Sequence, residues 1–119
     1  MNTRTDGLAG EEQAARFLTQ QGYRLVARNV SAAGGEIDIV ALDGHTLVFV
    51  EVKKRSSAAF GGPVAAVTAT KQRRIARAAT QYIKANSLKF DSIRFDVICI
   101  LDGKLEHILN AFTPDRTTL

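Results

Sequence analysis

One cysteine, Cys99, stands in 119 residues, so no disulfide can form within the chain. No apolar run approaches the roughly 18 residues that would span a bilayer, which excludes a membrane-crossing helix. The opening residues, MNTRTDGLAGEEQ, lack the apolar stretch of a secretory signal, and the expected location is the cytoplasm, away from membranes. His45 and His107 lie far apart without a Cys or His companion, so a zinc site is not expected and both read as structural. No glycine-rich phosphate loop occurs, which removes support for nucleoside-triphosphate hydrolysis. Internal repeats, low-complexity segments and linkers are missing too. The most informative absence is of acid: between Val52 and Phe90 there is no Asp or Glu, against nine Lys or Arg.

What is present fits one globular domain. Apolar residues make up 45% and charged residues 24%, and a chain of this length buries roughly two-thirds of the surface it would otherwise expose. Residues 1–119 are read as a single domain, with 113–119 as a flexible tail. Residues 1–52 carry seven acids and four bases, so charge of the two signs is segregated along a chain of net charge +4. A basic stretch of this kind favours a polyanionic partner, although the same charges could simply solvate a helix.

Residues 7–21 place Ala14, Phe17 and Leu18 at helical spacing, with Gly22 at the position where a helix end favours positive φ. A strand follows over 23–30, a small-residue turn over 31–35, and two β-rich runs over 36–42 and 46–53 flank Asp43-Gly44, a hairpin signal. A loop over 54–63 leads to a helical pattern over 64–85, with Ile75, Ala78, Ala79, Tyr82 and Ile83 on one stripe. RFDVICIL (94–101), a second Asp-Gly turn and a strand over 104–112 complete the order αβββαββ. The fold class is α/β, a mixed sheet flanked by helices.

Charges inside the hairpin call for an explanation. Side chains alternate along a strand, so Glu36 and Asp38 share a face, as do Glu51 and Lys53. If Leu42 pairs with His45 or with Leu47, both pairs project from the same face; a three-residue loop would send Glu51 to the other side. On the first geometry Asp38 and Glu51 lie close enough to hold one hard cation, Mg²⁺ or Mn²⁺, which would bind a phosphate oxygen and activate water, with Lys53 orienting that water. The plain alternative is a cross-strand ion pair of Lys53 with Glu36 or Glu51.

GEID, separated from EVK by twelve residues after its Asp, resembles the PD-(D/E)xK signature of the restriction-endonuclease-like superfamily. Gly7 and Glu11 resemble the Gly-x-x-x-Glu of archaeal Holliday junction resolvases in that superfamily. The combination GxxGE, GYRLVARN, GEIDIVA, LVFVEVKxR, KQRRI and RFDV is similar, over nearly the whole chain, to the bacterial YraN-like family, which is related to those resolvases. The resemblance implies a restriction-endonuclease-like fold and catalytic roles for Asp38, Glu51 and Lys53. It implies a metal held by Glu11, Asp38, Glu51 and the Val52 carbonyl, with Glu36 as an outer partner or a metal-free mate for Lys53. It further implies hydrolysis of branched or damaged DNA by a symmetric dimer. The departures are Ile37 in place of proline and Gln72 followed four residues on by Ala76 rather than tyrosine.

On the second helix Arg73, Arg77 and Lys84 fall opposite the apolar stripe, whereas Lys71 falls near it, either stretched along the core edge or directed at a substrate phosphate. Arg73, Arg74 and Arg77, joined by Lys54, Arg55 and Lys71, are the expected nucleic-acid contacts, made to backbone phosphates without regard to sequence. A binding module that keeps the fold without hydrolysis is the competing reading. Cys99 reads as a buried small hydrophobe, and Tyr23 and Tyr82 fit core stripes better than base-stacking positions.

Overall fold

In the computed structural model, residues 3–55 and 67–113 are described, with side chains over 9–54 and 67–113. The order is α1 (Thr3–Gln20), β1 (Arg24–Ala32), β2 (Gly35–Asp43), β3 (Thr46–Arg55), α2 (Ala69–Asn86), β4 (Ser92–Leu101) and β5 (Lys104–Ile108). The expected αβββαββ arrangement is therefore the one observed. One five-stranded sheet runs β1-β2-β3-β4-β5, antiparallel except for the β3–β4 pair. A parallel pair needs a crossover, and α2 lies within it. Among the described residues no helix is long and apolar enough to cross a membrane.

Local chemistry sets the boundaries. α1 stops because Gly22 takes φ 93°, letting its N–H reach Thr19 and the Tyr23 N–H reach the Leu18 carbonyl, a Schellman closure that also sets Tyr23 beside the core containing Leu18. α2 begins at Ala69, later than its periodicity suggested, because the Thr68 hydroxyl caps it by accepting from the Lys71 N–H. The expected loop over 54–63 and helical start over 64–66 lie mostly outside the described residues. So does the expected tail beyond Thr113. The turn expected over 31–35 shrinks to Ala33–Gly34, both at positive φ. β5 ends at Ile108 rather than 112, since Asn110 turns to positive φ and gives its N–H to Asp96.

In the central hairpin Leu42 pairs with Leu47 and Asp43 with Thr46. The turn is centred on Gly44–His45, with Gly44 at φ 61°, so the tight turn is one residue later than the Asp43-Gly44 reading, yet the strand parity is the one that reading gave. Leu47 and Phe49 enter the core beneath α2, while Val48 and Val50 enter the core beneath α1. Glu51 and Lys53 therefore belong to the α2 side. β2 is less regular. Ile37 and Val40 join the α2 core but Ile39 and Ala41 join the α1 core, so strict alternation breaks at Asp38. The β2–β3 ladder also ends there, with Ile39 opposite Val50 as its last pair.

Candidate functional site

Where β2 and β3 part, the sheet opens into a cavity of about 680 Å³ whose lining includes Asp38, Glu51, Val52, Lys53 and Lys71. Asp38 is anchored by its backbone neighbour across the gap: the Val52 N–H donates to Asp38 Oδ2 at 2.7 Å. Glu51 is buried at 6% exposure. Its Oε1 receives two ammonium groups, Lys71 Nζ at 2.8 Å and Lys53 Nζ at 3.3 Å. Burial, then the charge of Glu51, pushes the Asp38 carboxyl up to about 7, against the Val52 hydrogen bond, with Glu11 adding to the repulsion. Burial and the neighbouring Lys71 ammonium push Lys53 down. Burial alone would push Lys71 down as well, but its bond to Glu51 holds it above the ordinary lysine value.

Glu11 reaches this group from α1. The helix lies close to the sheet at Gly10, where an added β-carbon would stand 3.6 Å from Lys54 Cβ. Among the described residues, Glu11 Oε2 is the buried side-chain polar atom left without a hydrogen-bond partner. Its neighbour Glu12, by contrast, is exposed and paired with Arg28 at 2.9 Å and Arg16 at 3.3 Å.

The site residues expected from sequence thus fall into a floor and a rim. Asp38, Glu51, Lys53 and Lys71 meet; Val52 holds Asp38; Glu11 adds its negative charge to the surroundings of Asp38. Lys71 does point inward, to Glu51. Glu36 and Arg74 line the mouth of the cavity, both exposed, and Arg73 and Arg77 are exposed on α2. Lys54 is exposed on β3, and the Arg55 side chain lies outside those described. His107 and Cys99 are packed in the body of the protein, as read from sequence. Sequence reasoning missed Gly35, Thr68 and Thr70, which also line the cavity. A β-carbon on Gly35 would come within 2.6 Å of the Arg74 carbonyl oxygen, so only glycine lets α2 settle this close to β2. The cap threonine before a basic helix and the Gly34-Gly35 pair were the available signals.

An oxygen-only donor set suits a hard divalent cation. The partnerless Glu11 Oε2 and the raised Asp38 carboxyl are two features such an ion would relieve. Among the described residues no three His, Cys, Asp or Glu side chains converge closely enough to hold an ion as they stand; the two lysines occupy Glu51 Oε1. The residues fit a metal on the condition that this ion pairing gives way.

Comparison with known proteins adds lineage. The profile of the uncharacterised protein family UPF0102 matches residues 10–100. The chain belongs to this family. A UPF0102 protein of Symbiobacterium thermophilum is 50% identical over 115 residues, covering 92% of this chain and 98% of the relative. One from Chlorobium phaeobacteroides is 48% identical over 116 residues, 89% of this chain and 92% of its own. A third, from Serratia proteamaculans, is 44% identical over 117 residues, 97% and 100%. The matched UPF0102 span contains Glu11, Asp38, Glu51, Lys53 and Lys71. The family name assigns no activity, so the chemistry has to be argued from the site.

Proposed function

We propose that this UPF0102 protein is a divalent-cation-dependent endonuclease that hydrolyses phosphodiesters in branched DNA. The observation that carries the reading is the meeting of Asp38, Glu51, Lys53 and Lys71 on the floor of one cavity, with the buried, partnerless Glu11 Oε2 beside them. Mg²⁺ or Mn²⁺ held by Glu11, Asp38, Glu51 and the Val52 carbonyl would supply Lewis-acid activation of water and of the scissile phosphate. The chain's own groups do the rest. The Val52 N–H fixes Asp38 in rotation. Lys53, held on a strand, presents a fixed ammonium to the attacking water and to charge that develops on the phosphate only in the transition state. Lys54 and Arg55 extend the same strand, and Arg73, Arg74 and Arg77 supply phosphate-backbone contacts on α2. Glu36 at the cavity mouth serves as an outer partner. Branched substrates and a symmetric dimer, which would cut two strands, are carried by the resolvase resemblance.

A second reading has its own support. Glu51 is ion-paired with both lysines through Oε1 as it stands, which suits a DNA-binding module without hydrolysis. One experiment decides. Mn²⁺ calorimetry on the wild type, Asp38→Asn and Glu51→Gln, together with cleavage of linear, flapped and four-way-junction DNA by these and Lys53→Ala, should show metal affinity reduced about tenfold or more in the two acid variants. All three variants should lose cleavage. Equal Mn²⁺ binding throughout, or DNA binding without any cleavage, would leave the binding module.

A further inference from the structure

Positive charge in the site is distributed unevenly. Two ammonium groups meet one oxygen of Glu51, while among the described residues neither Asp38 nor Glu11 has an ion pair. The two lysines are not equivalent. Lys53 stands on β3, in the middle of the sheet, and its side chain is 23% exposed. Lys71 comes from the first turn of α2, three residues after the Thr68 cap, and its side chain is 37% exposed. A cation at the amino end of a helix opposes the helix dipole, and the first turn of α2 holds no acid to compensate. Among the described residues, Glu51 is the one carboxylate within ion-pair distance of Lys71. The contact holding Lys71 in place is therefore the contact a divalent cation at Glu51 would take over.

We propose that Lys71 is an exchangeable internal counterion: it neutralises Glu51 while no divalent cation is bound, and a cation displaces it into the cavity, where its ammonium becomes a phosphate ligand. This rests on the metal-dependent reading above and specifies how metal and substrate are linked. A doubly charged ion beside Glu51 repels both ammonium groups, and the one with a route to solvent moves. Its destination is polar and already holds a second cation suited to phosphate, because Arg74, Thr68 and Thr70 line the same cavity. Metal and phosphate then bind with positive coupling, and by linkage each raises the affinity of the other by the same factor.

The test is Mn²⁺ titration of the wild type, Lys71→Met, Lys71→Gln and the charge-keeping Lys71→Arg, each checked for folding by circular dichroism, with and without thymidine 5′-monophosphate as the phosphate probe. Either neutral variant should bind Mn²⁺ alone about tenfold more tightly than the wild type, since a competing charge-assisted bond has been removed, and Lys71→Arg should stay near wild type. The nucleotide should raise Mn²⁺ affinity in the wild type, by about fivefold or more, and leave the neutral variants unchanged. In chelator the neutral variants should melt below the wild type, and saturating Mn²⁺ should close the gap. Neutral variants that bind Mn²⁺ no more tightly than a metal-binding wild type would overturn the counterion role and leave the nuclease reading standing. No Mn²⁺ binding in any of the four proteins would overturn both.

Discussion

Two buried acidic centres lie on opposite faces of the sheet, and they solve the same problem in opposite ways. Asp96 on β4 is fully buried and accepts from Arg94 at 2.9 and 3.0 Å and from the Asn110 N–H at 2.9 Å, with His107 Nε2 at 2.8 Å. Arg94 is itself tied to Asp43 at 3.1 Å and to the Tyr23 hydroxyl at 2.6 Å. Burial alone would push Asp96 up, but the bonds from His107, Arg94 and Asn110 hold its carboxyl below the ordinary value. Asp38 has one backbone hydrogen bond and two like charges nearby, and is pushed up to about 7. Burial of an acid therefore does not by itself single out a candidate functional site; a mismatch between the acid and its partners does.

The largest effect should come from the satisfied centre. Asp96→Ala would strand Arg94, His107 and the Asn110 N–H, and should cost about 3–5 kcal/mol in urea unfolding. A loss below about 1 kcal/mol would show that the network is not structural and would erase the contrast. Its pH dependence has a definite sign. A folded-state value held below the ordinary aspartate value of 3.8 stabilises the protein above that pH, and this contribution should disappear as the solution is acidified below it.

Asp38 should behave the other way. Its folded value of about 7 exceeds the ordinary 3.8, so the folded state binds more protons between them, and metal-free stability should fall as pH rises from about 4 to about 7. Asp38→Asn should remove that slope. At pH 8 in chelator it should stabilise the protein on the order of 2 kcal/mol, about half what the full shift would represent, because the carboxylate faces an open cavity. Urea midpoints at pH 5 and pH 8 measure this directly. A variant as pH-sensitive as the wild type, or less stable at pH 8, would mean that Asp38 is as well partnered as Asp96.

How much of this contrast could be read in the chain follows from what each centre needs. The Asp38–Glu51–Lys53 grouping depends on strand parity, and parity survived a one-residue error in the turn because Leu42 still faces Leu47. Lys71 was legible as the one base near the apolar stripe of α2. The break at Asp38, with Ile37 and Ile39 in different cores, was not legible, since it falls where the β2–β3 ladder ends, a feature of strand pairing and not of the local sequence. The Asp96 network was mostly hidden: Arg94 stands two residues away on the same strand, but Tyr23 ahead of β1, Asp43 of β2, His107 of β5 and Asn110 in the turn after β5 are brought in only by the fold. An acid inside RFDVICIL was the same kind of signal as the acid inside GEIDIVA, and partners distant in sequence decide that one is structural.

The smallest effect on stability, and the sharpest division within the site itself, is expected on α2. Ile75, Ala76, Ala78 and Ala79 bury one face of this helix, while Arg73, Arg74 and Arg77 are exposed; Arg73 makes a 3.3 Å bond to Thr70 within its own turn. Replacing the three arginines with Ala should leave unfolding free energy within about 0.5 kcal/mol of wild type, since no core packing or buried pair is removed. DNA affinity should drop for every sequence to a similar degree. The slope of log affinity against log salt should become shallower by about 0.9 for each DNA phosphate no longer neutralised. Mn²⁺ affinity should hardly change, because the acids and lysines of the cavity floor keep their partners. Fluorescence anisotropy on two unrelated DNA sequences across a salt series reads all of this except the metal, which calorimetry supplies. An unchanged salt slope would place the DNA on another surface, and the basic face of α2 would then be a solvated helix face.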